Sequence, residues 1–246
     1  MEKLIMKAKQ SVSLISCILA LSAVMASAQD TLKVNPDNVT LKFENDSVRV
    51  LESILKPGAR ENTHSHPLYV TFVIEAGTVR NHRDGKTSDY SFKEGEVLYR
   101  EALTHWSENI GRTATHVIMF ELNNPQTSGT PYAVPPDKDP VKLSPQYYKV
   151  HVDNDAVRVL EYRLKPGQKE AMHSHPCGVV YNLSGAKWRI VSADGKTTDS
   201  ETAAGGIAWR DPTTHAIENV GKTEAHAIAL ELKGPCQKPG ESPPRD

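Results

Sequence analysis

Cysteine, net charge, long apolar runs and helical periodicity are what this 246-residue chain has least of. Its three cysteines are Cys17, Cys177 and Cys236, and only the last two lie outside the N-terminal segment, so at most one disulfide can form in the body of the protein. Two such thiols could pair in an oxidising compartment, but the expectation is one half-buried thiol and one thiol in the tail. Twenty-nine Lys and Arg face 30 Asp and Glu, and no basic cluster stands out, which excludes nucleic acid and anionic lipid as expected partners. The one apolar run, Ser11 to Ala26, is too short for a comfortable membrane span. Beyond it, no stretch holds helical periodicity over three turns, which excludes a helical domain.

The first 28 residues read as an export signal. Lys3, Lys7 and Lys9 precede the apolar run, and Ala26-Ser27-Ala28 offers small residues for cleavage after Ala28. Leu14-Ile15-Ser16-Cys17 resembles a lipoprotein box, but most of the apolar segment follows Cys17. A periplasmic or secreted protein is therefore expected, with a lipid on Cys17 or a retained anchor as the alternatives. Cleavage leaves 218 residues with 26 basic and 29 acidic side chains, enough for two domains of roughly 100 residues and no membrane attachment.

What is present in quantity is repetition. Residues 34–80 align with 143–189 at an offset of 109, with 19 of 47 pairs identical, and residues 84–122 align with 194–232 at an offset of 110, with 17 of 39 identical. This is a duplication. Residues 123–147 carry six prolines and mark a connection. The expected organisation is a signal at 1–28, a first barrel at 31–124, a linker at 125–142, a second barrel at 143–234 and a disordered tail at 235–246.

Each unit reads as β throughout. Val48 to Leu55 alternates and turns at Lys56-Pro57-Gly58, and Val70-Thr71-Phe72-Val73-Ile74 continues after the histidines. Asp84-Gly85 and Asp194-Gly195 read as hairpin turns. Val97-Leu98-Tyr99 and Ile207-Ala208-Trp209 form further strands, and His116 to Leu122 and His226 to Leu232 the last ones. Short strands separated by Gly and Pro turns imply an all-β fold of two antiparallel barrels. Apolar outer strands of such barrels often pair, so a second copy is a candidate partner.

His-Ser-His-Pro occurs twice, at His64 to Pro67 and at His173 to Pro176. Residues i and i+2 of a strand share a face about 6–7 Å apart, so each histidine pair can converge on one ion. His105 and His215 follow in matched positions. The metal-ligand candidates are thus His64, His66 and His105 in one unit and His173, His175 and His215 in the other. The pattern Gly58-x5-His64-x-His66 with Gly95-x9-His105-x3-Asn109, repeated as Gly167-x5-His173-x-His175 with Gly205-x9-His215-x3-Asn219, resembles the two motifs of the cupin superfamily. The resemblance covers nearly all of residues 34–233. It implies two tandem cupin (double-stranded β-helix, jelly-roll) barrels of the cupin-2 type, as in exported bacterial bicupins.

The chain departs from that pattern at one ligand. The cupin glutamate that follows the second histidine is replaced by Val70 and Val179, with no Asp or Glu in either window. The resemblance is then to three-histidine cupins such as cysteine dioxygenase and acetylacetone dioxygenase. Three neutral nitrogens leave the full dipositive charge on the ion and open positions for a ligand, which favours an anionic, chelating substrate. Zinc and iron(II) rank equally as the expected divalent ion, ahead of manganese, nickel and copper. By analogy the expectation is a mononuclear metalloenzyme, dioxygenase-like, with isomerase and lyase chemistry also open, acting on a small oxygen-rich or enolisable compound. The alternatives are a metal-dependent binding protein for a sugar or carboxylate, and a structural bicupin without metal.

Weaker candidates complete the reading. His116 and His226 occupy equivalent places on the last strand and are expected to line the cavity as acid–base groups or as supports for a ligand. Tyr99 with Trp209, and Phe72 with Tyr181, read as barrel packing. Arg100 and Arg210 lie on the strand face opposite Tyr99 and Trp209 and are expected at the surface. Cys177 follows the second histidine pair where the first unit has Leu68, which suggests that the two pockets differ. His82 and His151 lack equivalents and read as surface residues.

Overall fold

The computed structural model describes residues 29–123 and 132–236. The expected export signal, the first part of the linker and tail residues 237–246 lie outside the described residues. No helix among the described residues is long and apolar enough to cross a membrane.

The first unit contains β1 (Val39–Glu44), β2 (Val48–Leu55), β3 (His64–His66), β4 (Tyr69–Glu75), β5 (Thr78–Arg83), β6 (Lys86–Ser91), β7 (Val97–Arg100), β8 (Leu103–Asn109) and β9 (Thr115–Leu122). The second repeats them as β10 (Tyr148–Asp153), β11 (Val157–Leu164), β12 (His173–His175), β13 (Gly178–Asn182), β14 (Ala186–Ser192), β15 (Thr197–Thr202), β16 (Ile207–Arg210), β17 (Thr213–Asn219) and β18 (Ala225–Leu232). Each unit folds into a five-stranded sheet, ordered β1-β2-β9-β4-β7 or β10-β11-β18-β13-β16, and a four-stranded sheet, ordered β3-β8-β5-β6 or β12-β17-β14-β15. Adjacent strands within every sheet are antiparallel.

Turn chemistry fixes the register. Asp84 and Gly85 both take positive φ, the two-residue hairpin geometry that closes β5 on β6 at Arg83 and Lys86. The extra residue that moves the repeat offset from 109 to 110 falls in the matching hairpin, which is longer between Val191 and Thr197. Pro57 and Gly58 form a turn with Gly58 at φ +75°, a conformation that favours glycine, and Ala59 N–H closes it onto the Lys56 carbonyl at 2.9 Å.

A helical turn, α1 (Thr31–Val34), precedes the first barrel, capped by the Asp30 carboxylate. Its counterpart α2 (Pro140–Leu143) is capped by Asp139. The last part of the expected linker therefore belongs structurally to the second barrel. Backbone carbonyls of Gln29 and Lys138 accept from the N–H of Ser65 and Ser174, so each segment runs beside a histidine strand.

The two barrels pack back to back. Val48, Val50, Val70, Phe72, Ile118, Phe120 and Leu122 form one buried cluster with Val157, Val159, Val179, Tyr181, Ile228, Leu230 and Leu232, each the repeat counterpart of one in the first set. Phe43 and Trp209 stack across the seam with ring centroids 6.5 Å apart. Alternate residues of the same strands, including Leu51, Val73, Val117 and Met119, turn into the first barrel. Hence β9 and β18 are buried on both faces, and their sequences lack a polar alternation.

Candidate metal centre

Three-residue strands place the histidines. In β3 the two rings point inward, with His64 1% and His66 4% exposed, while the Ser65 hydroxyl meets Thr104 Oγ1 at 2.7 Å. β12 repeats the arrangement with Ser174 and Thr214, also at 2.7 Å. The neighbouring strand then supplies the third ring by register, because His64 pairs with His105 and His173 with His215 across the ladder. In each triad the candidate ligand atoms all lie within 4.8 Å of one another.

Hydrogen bonds fix the tautomers. His64 Nδ1 lies 2.8 Å from the Asn62 carbonyl and 3.1 Å from the Asn35 amide nitrogen, and His173 Nδ1 lies 2.8 Å from the Ala171 carbonyl; the shorter contacts to carbonyls, which only accept, favour a donating Nδ1 in both rings. His66 Nδ1 donates to Glu121 Oε1 at 2.5 Å and His175 Nδ1 to Glu231 Oε1 at 2.6 Å. With each Nδ1 protonated, a neutral ring presents a bare lone pair at Nε2. His64 Nε2 and His66 Nε2 stand 3.0 Å apart, two acceptors facing each other in a buried site. His105 Nε2 and His173 Nε2 are buried without a hydrogen-bond partner. One cation in each triad would satisfy these atoms, so both donor sets fit a divalent metal.

Burial disfavours the charged form of five of the rings. Desolvation, with the neighbouring His66, pushes His64 down to about 4, and desolvation, with His64 and His66, pushes His105 down to about 3. In the second triad, desolvation, His173 and Arg210 push His215 down to about 3, while His173 is lowered and His175 falls well below its ordinary value, again chiefly through burial.

Glu121 and Glu231 are 0% and 1% exposed and were not legible as site residues. Arg49 clamps Glu121 Oε2 through Nε and Nη2, at 2.7 and 2.6 Å, and reaches the Asp30 carboxylate with Nη1. Arg158 joins Glu231 to Asp139 in the same way. Each carboxylate thus holds the ring of a candidate ligand at Nδ1, away from Nε2. The available signal was an acidic residue preserved in both repeats amid apolar neighbours, at Glu121-Leu122 and Glu231-Leu232. Val70 and Val179, at the usual carboxylate position, instead face the seam between barrels.

A cavity of about 250 Å³ opens onto the first triad, lined among others by His66, His105, Tyr69, Glu61, Arg83 and Arg100. Glu61 is 8% exposed, and burial pushes its carboxyl up to about 7 against the opposing effect of Ser107. Tyr69 stacks beside His66 with centroids 4.7 Å apart, and burial pushes its phenol up to about 12. Glu61 has its repeat counterpart in Glu170, and Tyr69 has only Gly178. A Cβ at residue 178 would meet the Leu230 carbonyl oxygen at 2.1 Å, so the second barrel has no room for a side chain there.

Several expectations are corrected. The cavity face of β9 carries Thr115, Val117 and Met119, so alternation turns His116 away from it, and His116 Nε2 bonds Glu52 Oε1 at 2.9 Å. His226 likewise bonds Glu161 Oε1 at 2.9 Å. His116 does not line the first cavity. Arg100 lines the cavity, and Arg210 donates to the buried Glu231 at 3.1 Å, so the arginines face inward. Tyr99, Trp209, Phe72 and Tyr181 pack at the seam rather than within a barrel. Cys177 and Cys236 are joined as a disulfide, with Cα atoms 5.7 Å apart. His82 stacks on Trp106 with centroids 3.5 Å apart, and His151 bonds Glu161 at 2.9 Å, so neither is a free surface group.

No protein-family model matches the sequence, and no curated protein matches it. Solved structures do. Oxalate decarboxylase of Bacillus subtilis, in a study of its Mn(II) centres, superposes with a TM-score of 0.55 at 14% identity over 82% of this chain and 77% of that one. AerE from Microcystis aeruginosa superposes with a TM-score of 0.58 at 14% identity over 83% of this chain and 97% of that one. The fold is a tandem of two cupin barrels, and each carries a histidine group suited to a divalent metal.

Proposed function

We propose that the chain is an exported mononuclear metalloenzyme whose reaction pocket is the first barrel. Its substrate would be a small, anionic, oxygen-rich compound able to chelate a divalent ion. The observation that carries this reading is the close approach of His64 Nε2 and His66 Nε2, 3.0 Å apart, beside a cavity that His66 and His105 line. His64, His66 and His105 would hold the ion. When bound, it supplies Lewis acidity to a carbonyl or enol oxygen and, if redox-active, access to dioxygen chemistry.

The chain's own groups would do the rest. Arg83 and Arg100 line the cavity, and a guanidinium turned into it would suit a carboxylate. Glu61, whose carboxyl is raised to about 7, can hold or take a proton near neutrality. The Tyr69 hydroxyl stays protonated and can donate. Leu103, Val117, Met119 and Phe92 form the apolar wall that excludes water. Zinc or iron(II) suits the three imidazoles, and manganese, the metal studied in the Bacillus oxalate decarboxylase, is the next candidate. The Cys177–Cys236 disulfide supports the reading of an exported protein.

The test is elemental analysis of protein purified from its native compartment, followed by activity screens of the metal-loaded chain. The screens cover dioxygen uptake and decarboxylation over diketones, hydroxy acids and dicarboxylates. About one or two divalent ions per chain are expected. Arg100→Leu should raise KM for a carboxylate substrate by about tenfold or more, with a smaller change in kcat. Protein free of bound metal from every source would end the proposal.

A further inference from the structure

The two lumens differ in what fills them. Ser53, Leu55, Val79, Asn81, Ser107 and Thr115 line the open cavity of the first barrel. Their repeat counterparts are Tyr162, Leu164, Trp188, Ile190, Ile217 and Ala225. Leu164, Trp188 and Ala225 belong to one buried apolar cluster, and Tyr162, Ile190 and Ile217 pack against it. Serine, asparagine and threonine at the cavity positions have thus given way to tyrosine, isoleucine and alanine. The space open to a ligand in one barrel is occupied by side chains in the other.

The groups suited to receive a substrate are engaged as well. Arg100 lines the first cavity, whereas its counterpart Arg210 donates through Nη2 to Glu231 Oε1 at 3.1 Å and so serves an internal carboxylate. Glu61 also lines the first cavity. Its counterpart Glu170 is buried and accepts from the Tyr148 hydroxyl at 3.2 Å and from that of Tyr162. Tyr69 is replaced by Gly178, and a ring from a different strand, Tyr148, stands with its centroid 6.4 Å from that of His173 and 6.5 Å from that of His175. Cys177, fully buried two residues beyond His175, is joined to Cys236, which ties the ligand strand to the segment that follows β18.

The candidate ligands themselves are kept. The donor atoms of His173, His175 and His215 lie within 4.8 Å of one another, as in the first triad, and His175 retains its carboxylate partner at 2.6 Å. His173 Nε2 is buried without a hydrogen-bond partner. In a filled, largely apolar interior such a nitrogen destabilises the fold unless something binds it. Catalytic metal sites keep a position open to substrate, and structural sites are closed by the protein. We infer that the second triad is a closed, structural metal site, whose ion, held by His173, His175 and His215, stabilises the fold and is out of reach of substrate-sized anions. This rests on the reading that the histidine triads hold metal. It divides the duties of the two ions: the first meets the substrate, and the second couples metal binding to folding.

The experiment uses the full chain in two forms. One carries His64→Ala and His66→Ala and keeps the second triad; the other carries His173→Ala and His175→Ala and keeps the first. Both are loaded with Mn(II), metal content is measured directly, and oxalate is titrated while the Mn(II) resonance spectrum is recorded. Oxalate should perturb the first-triad spectrum and leave the second-triad spectrum unchanged at concentrations about tenfold higher. EDTA should extract the second ion about tenfold or more slowly than the first, because the barrel must open locally to release it. Loading the second triad should raise the melting temperature by several degrees, since the ion binds the folded chain. If either double variant misfolds, the unaltered chain loaded with two ions reads the same difference, as one responsive and one unresponsive part of the spectrum and as a fast and a slow phase of extraction. A second ion that responds to oxalate, or leaves, as readily as the first overturns this inference alone. So does a second triad that takes up no metal while the first does. Absence of metal from both triads overturns the proposed function with it.

Discussion

Glu121 Oε1 lies 2.5 Å from His66 Nδ1, so a carboxylate supplied by the last strand of the barrel sets the ring that the third strand presents to the candidate metal site. The same relationship, at 2.6 Å, joins Glu231 to His175. Glu121→Gln preserves the shape and removes the charge that raises the basicity of the ligand nitrogen. Metal affinity of the first barrel should fall about 10–100-fold, measured by competition with a chelator, while the second barrel keeps its affinity. His105→Ala, which deletes a candidate ligand outright, should abolish binding in the first barrel alone.

The buried Glu61 gives the metal-free protein a pH dependence of defined sign. Its carboxyl is raised from 4.5 to about 7 in the folded state, so between these values the native state binds more protons than the unfolded chain. Stability from this group is therefore fully present below about pH 4.5 and lost as pH rises toward 7. Glu61→Gln should match the parent near pH 4 and exceed it at pH 8 by up to about 3 kcal/mol, taking about 1.4 kcal/mol per pH unit. Urea titrations of the metal-free proteins at both pH values decide the matter. A gap that does not widen with pH counts against the assignment.

The Cys177–Cys236 disulfide closes a sequence separation of 59 residues. A chain-entropy estimate for a loop of that size is about 4 kcal/mol, and native disulfides are commonly worth about 2–5 kcal/mol. Cys236→Ser, or mild reduction of the parent, should lower the melting temperature by several degrees, read by calorimetry. A shift within error would show that the tail anchor contributes nothing to stability.

Because both five-stranded sheets bury the same seam, the barrels should unfold together. Phe120 is fully buried at that seam, and Phe120→Ala should cost about 3–5 kcal/mol. Calorimetry should show one transition in the parent and in the variant. Two separated transitions, with only the first barrel affected, would contradict a shared core.

Much of the fold was legible because the signals are local. A period of two puts His64 and His66 on one face, and the glycines at 58, 85 and 167 sit where positive φ is needed. The fold class and the grouping of six histidines follow from that pattern and its repetition. The remainder depends on contacts between distant segments. Glu121 stands 55 residues from His66, and nothing in either stretch announces the other. Alternation showed that Tyr99 and Arg100 point opposite ways, but not which way is inward. That choice is made by the second barrel, whose apolar face draws Tyr99 outward and leaves Arg100 to the cavity. The same packing misdirected His116. Its strand is apolar on both sides, so burial could not distinguish lumen from seam.

The matched pairs at the seam, such as Phe120 with Leu230 and Phe72 with Tyr181, have the self-complementary character of an isologous contact between identical subunits. A one-barrel ancestor bearing this surface would have been a homodimer, assembled only at sufficient concentration. Joining the halves into one polypeptide removed that dependence and freed each copy to diverge. Tyr69 in one lumen and Tyr148 in the other mark where that divergence has gone.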